Sequence, residues 1–150
     1  MATWDQICWP AHVAATLYMT GLIWFVQIVH YPLMAFVGRE SYVEYQRRHQ
    51  LLTTWVVGPA MLIEALTSLY LCWRPPLGLS WTSSLVGVLL VLAIWASTAT
   101  MQMPCHESLA AGFDPATHRR LVLSNWIRTV LWTARAGLAL FGIWQVIGNS

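Results

Sequence analysis

Glu64 lies between Leu51 and Trp73, and Arg128 and Arg135 lie between Leu121 and Ile147, in stretches otherwise apolar enough to span a bilayer. An ionised side chain near the bilayer centre costs roughly 2.5–3.5 kcal/mol on insertion scales, so such residues normally face an interior that holds partners. At about 1.5 Å per helical residue, Glu64 and Arg135 sit roughly 20 Å from the same ends of their segments. Matching depth and opposite charge predict a Glu64–Arg135 pair, either a helix-to-helix lock or part of a charged site. Arg128 shares a helix face with Asn125, Trp132 and Arg135, at spacings of three, four and seven residues. No second acid lies at its depth. Its bidentate fork suits a carboxylate, a phosphate or a haem propionate.

A second group gathers toward one end of the segments. Gln27 and His30 lie one turn apart, His49 opens the second apolar stretch, and Gln102 is followed across Pro104 by Cys105, His106 and Glu107. Three histidines from three segments are what a transition-metal (iron or copper) or haem centre would use, with amides and carboxylates orienting them. The plainer readings are that His49 is a solvated interfacial residue and that His30 and His106 cap helix ends. His12 and His118 are expected at interfaces. Cys105 is a candidate soft ligand. No ExxH pair occurs within a span, so the soluble di-iron bundle pattern is absent.

The elements that must position these groups follow from composition. The 150 residues are 57% hydrophobic and 9% charged, against about 25% charged in soluble domains. All eight basic residues are arginine, which excludes lysine-based chemistry, and a net charge of +2 gives no reason to expect nucleic acid. Apolar runs predict spans at about 13–33, 51–73, 83–103 and 121–147, each near the ~20 residues needed to cross. Pro10 is expected in the first turn of the first helix, Pro104 at the end of the third span, and Asp114–Pro115 as N-cap and N1 of the fourth. The polar stretch Arg39–His49 extends the second helix. Arg39, Arg47, Arg48, Arg119 and Arg120 fall on two connections against Arg74 on the other, which puts both termini on the non-cytoplasmic side. The predicted fold is all-α, a single-domain antiparallel four-helix bundle in the inner membrane, crossing it several times. The N-terminus lacks a basic region and a small-residue cleavage site, so the first segment reads as retained. Cys8 and Cys72 fall on the outer side, where they could pair in an oxidising space, and Cys105 on the reducing side.

The segments "VQIVHYPL", "VVGPAMLIE", "IWASTATMQMPCHESLAAGFD" and "NWIRTVLWTARAGL" resemble a family of short four-span bacterial integral membrane proteins. The resemblance covers nearly the whole chain and brings no named activity. It implies that Gln27, His30, Pro32, Pro59, Glu64, Gln102, Pro104, His106, Asn125, Trp126, Arg128, Trp132 and Arg135 occupy signature positions. At the level of topology, "GPAMLIEALTSLYL" with His12 or His30 is similar to the HemJ type of protoporphyrinogen oxidase. That type also uses a lysine, and this chain has none.

The leading functional expectation is a membrane-embedded metal- or haem-dependent redox protein acting on a lipophilic, anionic substrate. His30, His49 and His106 would be metal ligands, and Gln27, Gln102, Asn125 and Trp132 would hold the cofactor. Glu64, Arg128 and Arg135 would supply the charged groups. Its partners would be membrane lipids and a small molecule, with homo-oligomer formation open. The rivals are a small anion or weak-acid transporter or channel subunit, and a structural or assembly subunit.

Overall fold

A computed structural model describes residues 3–75 and 79–148, with side chains described for 6–75, 79–145 and 148. All regular structure among them is helical. Helix α1 (Thr3–Phe25) runs through a π turn (Val26–His30) into the short α2 (Tyr31–Leu33) and a 3-10 turn (Met34–Phe36). Helix α3 is one unbroken rod from Arg39 to Trp73, so the polar stretch before Leu51 is helical, as expected. Helix α4 (Trp81–Ser97) continues through a second π turn (Thr98–Gln102) into α5 (Met103–Leu109), and α6 spans Pro115–Gly148. Three of these continuous rods, Gln6–Phe36, Arg39–Trp73 and Trp81–Leu109, are long and apolar enough to cross a membrane.

Local chemistry sets the ends. Ser80 caps α4 by accepting from the Ser83 N–H at 3.1 Å. Asp114 caps α6, its Oδ2 accepting from the Thr117 N–H at 2.8 Å and from the Thr117 hydroxyl at 2.6 Å. Gly112 takes a φ of +149°, which an L side chain rarely adopts, and so lets the chain turn between α5 and α6. The Thr117 hydroxyl, then its N–H, hold the Asp114 carboxyl below its ordinary value. Because the folded value is the depressed one, the cap contributes fully above the unfolded carboxylate value. That contribution is lost as pH falls through the folded value. The protection factor of the Thr117 amide, its exchange relative to the intrinsic rate at the same pH, should therefore fall on acidification in the parent chain and be low at all pH in Asp114→Ala; Asp114→Asn should keep its protection in acid.

Two expectations about proline are corrected. Pro10 lies well inside α1 rather than in its first turn, because the helix already starts at Thr3. Pro104 does not end the third rod, which continues to Leu109. A proline ring crowds the carbonyl four residues earlier and offers no N–H. Here one extra residue is wound into the turn just upstream of Pro32 and of Pro104, a local π geometry frequent at functional sites. The register shows it. Buried positions step by fours through Met19, Ile23, Gln27 and Tyr31, and the next buried residue after Ser97 is Gln102, five positions on.

Helices α1 and α4 each pack on both α3 and α6. Leucines, valines and tryptophans cover the outside (Leu52, Trp55, Leu66, Leu92, Val130), while Gln27, Gln46, Glu64, Gln102, Asn125 and Arg135 are buried. This polarity is inverted relative to a water-soluble domain and is what a lipid solvent demands. Close packing also reaches Gly142, where an added Cβ would lie 2.6 Å from the Trp9 ring and 2.8 Å from Leu79. Gly142→Ala should lower stability by about 1–3 kcal/mol through overpacking, read as a fall in the thermal midpoint in detergent. A wild-type midpoint would remove that contact from the account.

Candidate functional site

The interior polar groups form two layers separated by Trp132. In the lower layer Glu64 on α3 and Arg135 on α6 meet across the interior, Arg135 Nε to Glu64 Oε1 at 2.8 Å, both essentially without solvent contact. Thr16 donates to the same carboxylate oxygen at 2.9 Å, and the Trp132 indole N–H donates to Oε2 at 3.0 Å. Arg135 also donates to Ser68 Oγ at 3.1 Å and to the Gly87 carbonyl. The predicted pair is therefore present. Both carboxylate oxygens and all three guanidinium nitrogens have partners, the condition under which a buried ion pair is tolerable.

The upper layer is built around Arg128, which is 9% exposed. Asn125, one turn before it, accepts from Arg128 Nε at 2.9 Å and from Nη2, and passes its own N–H to Gln27 Oε1 at 2.8 Å. Gln27 is anchored in turn on the Val122 carbonyl at 3.3 Å. Arg128 Nη2 donates to the Tyr31 hydroxyl at 3.1 Å, and Nη1 lies 3.5 Å from Thr98 Oγ1. No carboxylate pairs with Arg128 among the described residues, where the ion pairs are Arg48–Glu44 and Arg135–Glu64. Its charge is held by neutral oxygens alone.

The three histidines gather beside it. His106 Nε2 is 2.9 Å from the Tyr31 hydroxyl, and its Nδ1 is 2.8 Å from Gln46 Nε2. Gln50 holds the His106 carbonyl at 2.8 Å. His30 Nε2 and His49 Nδ1 are 2.9 Å apart, with Thr53 Oγ1 3.1 Å from the latter. The His49 ring centre is 4.6 Å from that of His30 and 5.2 Å from that of His106. His49 is buried, so it is not a solvated interfacial residue. No group of three or more His, Cys, Asp or Glu side chains stands at metal-holding geometry among the described residues. The three free cysteines include Cys105, which is buried among Tyr31, Met34 and Leu109 rather than beside the imidazoles.

Between the histidines and Trp132 lies a cavity of about 390 Å³. Its walls are apolar below (Met19, Ile23, Val57, Met61, Trp132) and polar above (His49, His106, Arg128, Gln102, Gln50). Thr54, Met103 and Glu107, all exposed, border it between α3 and the Thr98–Leu109 segment, so it opens sideways toward the outer surface of those helices. The volume is that of a small-molecule site, and an apolar body with a few convergent polar groups is its usual composition.

The sequence-derived residues divide between the layers. Gln27, His30, His49, Gln102, His106, Asn125 and Arg128 fall in the upper one, Glu64 and Arg135 in the lower, and Trp132 serves both. Gln102 donates to Ser124 at 3.0 Å and accepts from Ser97 at 3.2 Å, which ties its π turn to α6. Sequence reasoning missed Tyr31, Gln46, Gln50 and Thr98 above, and Thr16 and Ser68 below. A signal for two of them existed: Tyr42, Gln46, His49, Gln50 and Thr53 recur at three- and four-residue intervals along α3, as one helical face does. Of the histidines expected at interfaces, His12 is bonded to Thr67 Oγ1 at 3.0 Å and stacked on Trp9. His118 Nε2 lies 2.7 Å from the Tyr31 carbonyl and ties α6 to α2. Comparison of the chain with models of known families, with characterised proteins and with solved structures gives no match.

Proposed function

We propose that the chain is an antiparallel four-helix bundle of the bacterial inner membrane, both termini on the non-cytoplasmic side. In this reading it is a redox protein that takes a lipophilic molecule with an acidic head from the bilayer into the sideways-opening cavity. The observation that carries the reading is Arg128, a buried cation with no carboxylate partner among the described residues, at the polar end of an apolar pocket flanked by two histidines. The head group would complete the charge pairing that Asn125, Tyr31 and Thr98 leave open, while the Met- and Ile-lined part would hold the apolar body. His106 and Tyr31, already in hydrogen-bond contact, are placed to exchange a proton with the bound head.

No three histidine, cysteine or carboxylate side chains stand at metal-holding geometry among the described residues, so a single transition-metal ion would have to draw His30, His49 and His106 into a new arrangement. Nitrogens of adjacent ligands on an ion with bonds of about 2.0–2.1 Å stand roughly 3 Å apart when the bonds are near perpendicular. His30 Nε2 and His49 Nδ1 stand 2.9 Å apart as hydrogen-bond partners, so an ion would have to replace that bond, and the gap leaves no room for a macrocycle between them. His106 would join them only by turning away from Tyr31. Iron or copper held there would supply one-electron chemistry next to the head group. Metal analysis with an absorption spectrum of the purified protein tests this directly. About one iron or copper per chain, reduced in His30→Ala and His49→Ala, is the expected outcome. Stoichiometric haem would replace the ion by the larger group, and a protein free of both would end the redox reading.

Against a transporter for weak acids, Trp132 and Met19 floor the cavity, and the charged groups below are already engaged with one another. Arg128-dependent flux in liposomes from metal-free protein would favour the transporter.

A further inference from the structure

We propose a specific binding site for an anionic phospholipid on the outer face of α6, independent of the chemistry of the interior cavity although it relies on the membrane placement. An open groove of about 520 Å³ is lined by Ala116, Arg119, Arg120, Leu123, Ser124 and Ile127 of α6 and by Met101 of the π turn. Neither guanidinium has an ion-pair or hydrogen-bond partner among the described residues, whereas Arg48, Arg128 and Arg135 are all engaged. Both lie in the second turn of α6, where the positive end of the helix gives a cation no help. Their position is thus better matched to an external anion than to helix stability.

The order of residues along the groove selects a lipid over a free anion. The guanidinia stand at the end of α6 expected at the cytoplasmic interface. From Arg120 to Ile127 the groove descends about 10 Å along the helix. Leu123 and Ile127 lie exposed in its wall on that descent. Charge at the interface with an apolar channel beneath it is the order of a phosphate head and its acyl chain. Basic pockets between helices on the cytoplasmic side bind such heads. The groove also shares a wall with the interior, since Ser124 accepts the hydrogen bond of Gln102, a residue of the cavity.

The test uses the full chain purified in neutral detergent, with thermal midpoint and native mass spectrometry as readouts. Phosphatidylglycerol should remain bound and raise the midpoint. Phosphatidylcholine should bind at least tenfold more weakly, and inorganic phosphate should produce no shift. Arg119→Gln with Arg120→Gln should weaken phosphatidylglycerol binding by about thirtyfold, the effect of two basic residues at a membrane surface. The lipid-free midpoint should not change, because both side chains are exposed. Arg119→Lys with Arg120→Lys should restore most of the binding. Equal retention of both lipids, unchanged binding in the double glutamine variant, or an equal shift with phosphate alone would each overturn the site.

Discussion

Glu64→Ala should destabilise the protein by about 3–5 kcal/mol, the largest effect expected of any single substitution here. The carboxylate is the counter-charge of Arg135 and the acceptor for Thr16 and Trp132, at a position only 1% exposed. Removing one partner of a buried ion pair leaves the other charge uncompensated, which is far more costly than the pair is favourable. The contrast that identifies this mechanism is the double variant Glu64→Leu with Arg135→Met. Apolar replacement of both partners in a similar volume removes both desolvation penalties and should recover most of the loss. Unfolding in mixed micelles measures all three chains. A Glu64→Ala protein as stable as the parent would mean that Arg135 finds another partner and that the pair does not lock α3 to α6. If the double variant folds and keeps its cellular function, the lower layer is structural and the chemistry belongs to the upper one alone.

Arg128→Gln should show the opposite pattern, with stability kept and ligand binding lost. Asn125 retains Gln27 and Tyr31 retains His106, so the neutral network outlives the guanidinium. Neutralising a buried cation with no carboxylate beside it also removes a desolvation penalty, so the midpoint should hold or rise. Binding of a fluorescent long-chain carboxylate should weaken by about 10–150-fold, the range for one lost hydrogen-bonded charge contact of 1.5–3 kcal/mol. Equal binding by the parent and by Arg128→Gln would show that the head group does not reach Arg128. A collapse of stability instead would assign the arginine to the scaffold.

The same lesson connects the two experiments. In lipid a charge must be accounted for by a neighbour, so the amount of unsatisfied charge ranks the candidate residues. Arg135 is paired with a carboxylate, whereas Arg128, hydrogen-bonded through all three nitrogens, has only neutral oxygens around it. That difference separates two arginines which look alike in one apolar segment seven residues apart.

Helical character, the long apolar rods and the meeting of Glu64 with Arg135 were legible from residue order, because they depend on quantities that are local or nearly so. Hydropathy over about twenty residues needs no partner to be read, and depth along a straight rod scales with residue number. The capping of α6 by Asp114 was legible for the same reason. The composition of the upper layer was not. Which of His30 and Tyr31 turns inward depends on one extra residue wound into the turn before Pro32, and a proline marks a disturbance without specifying how the register absorbs it. His49 could be read equally as solvated or as inward-facing, until α2 and α5 were seen to close over it with Tyr31 and His106. Periodicity assigns a residue to one face of its own helix. Whether another helix brings a hydroxyl, an amide or a second imidazole to that face is a matter of packing between segments far apart in the chain, and packing is set by side-chain shape rather than by spacing.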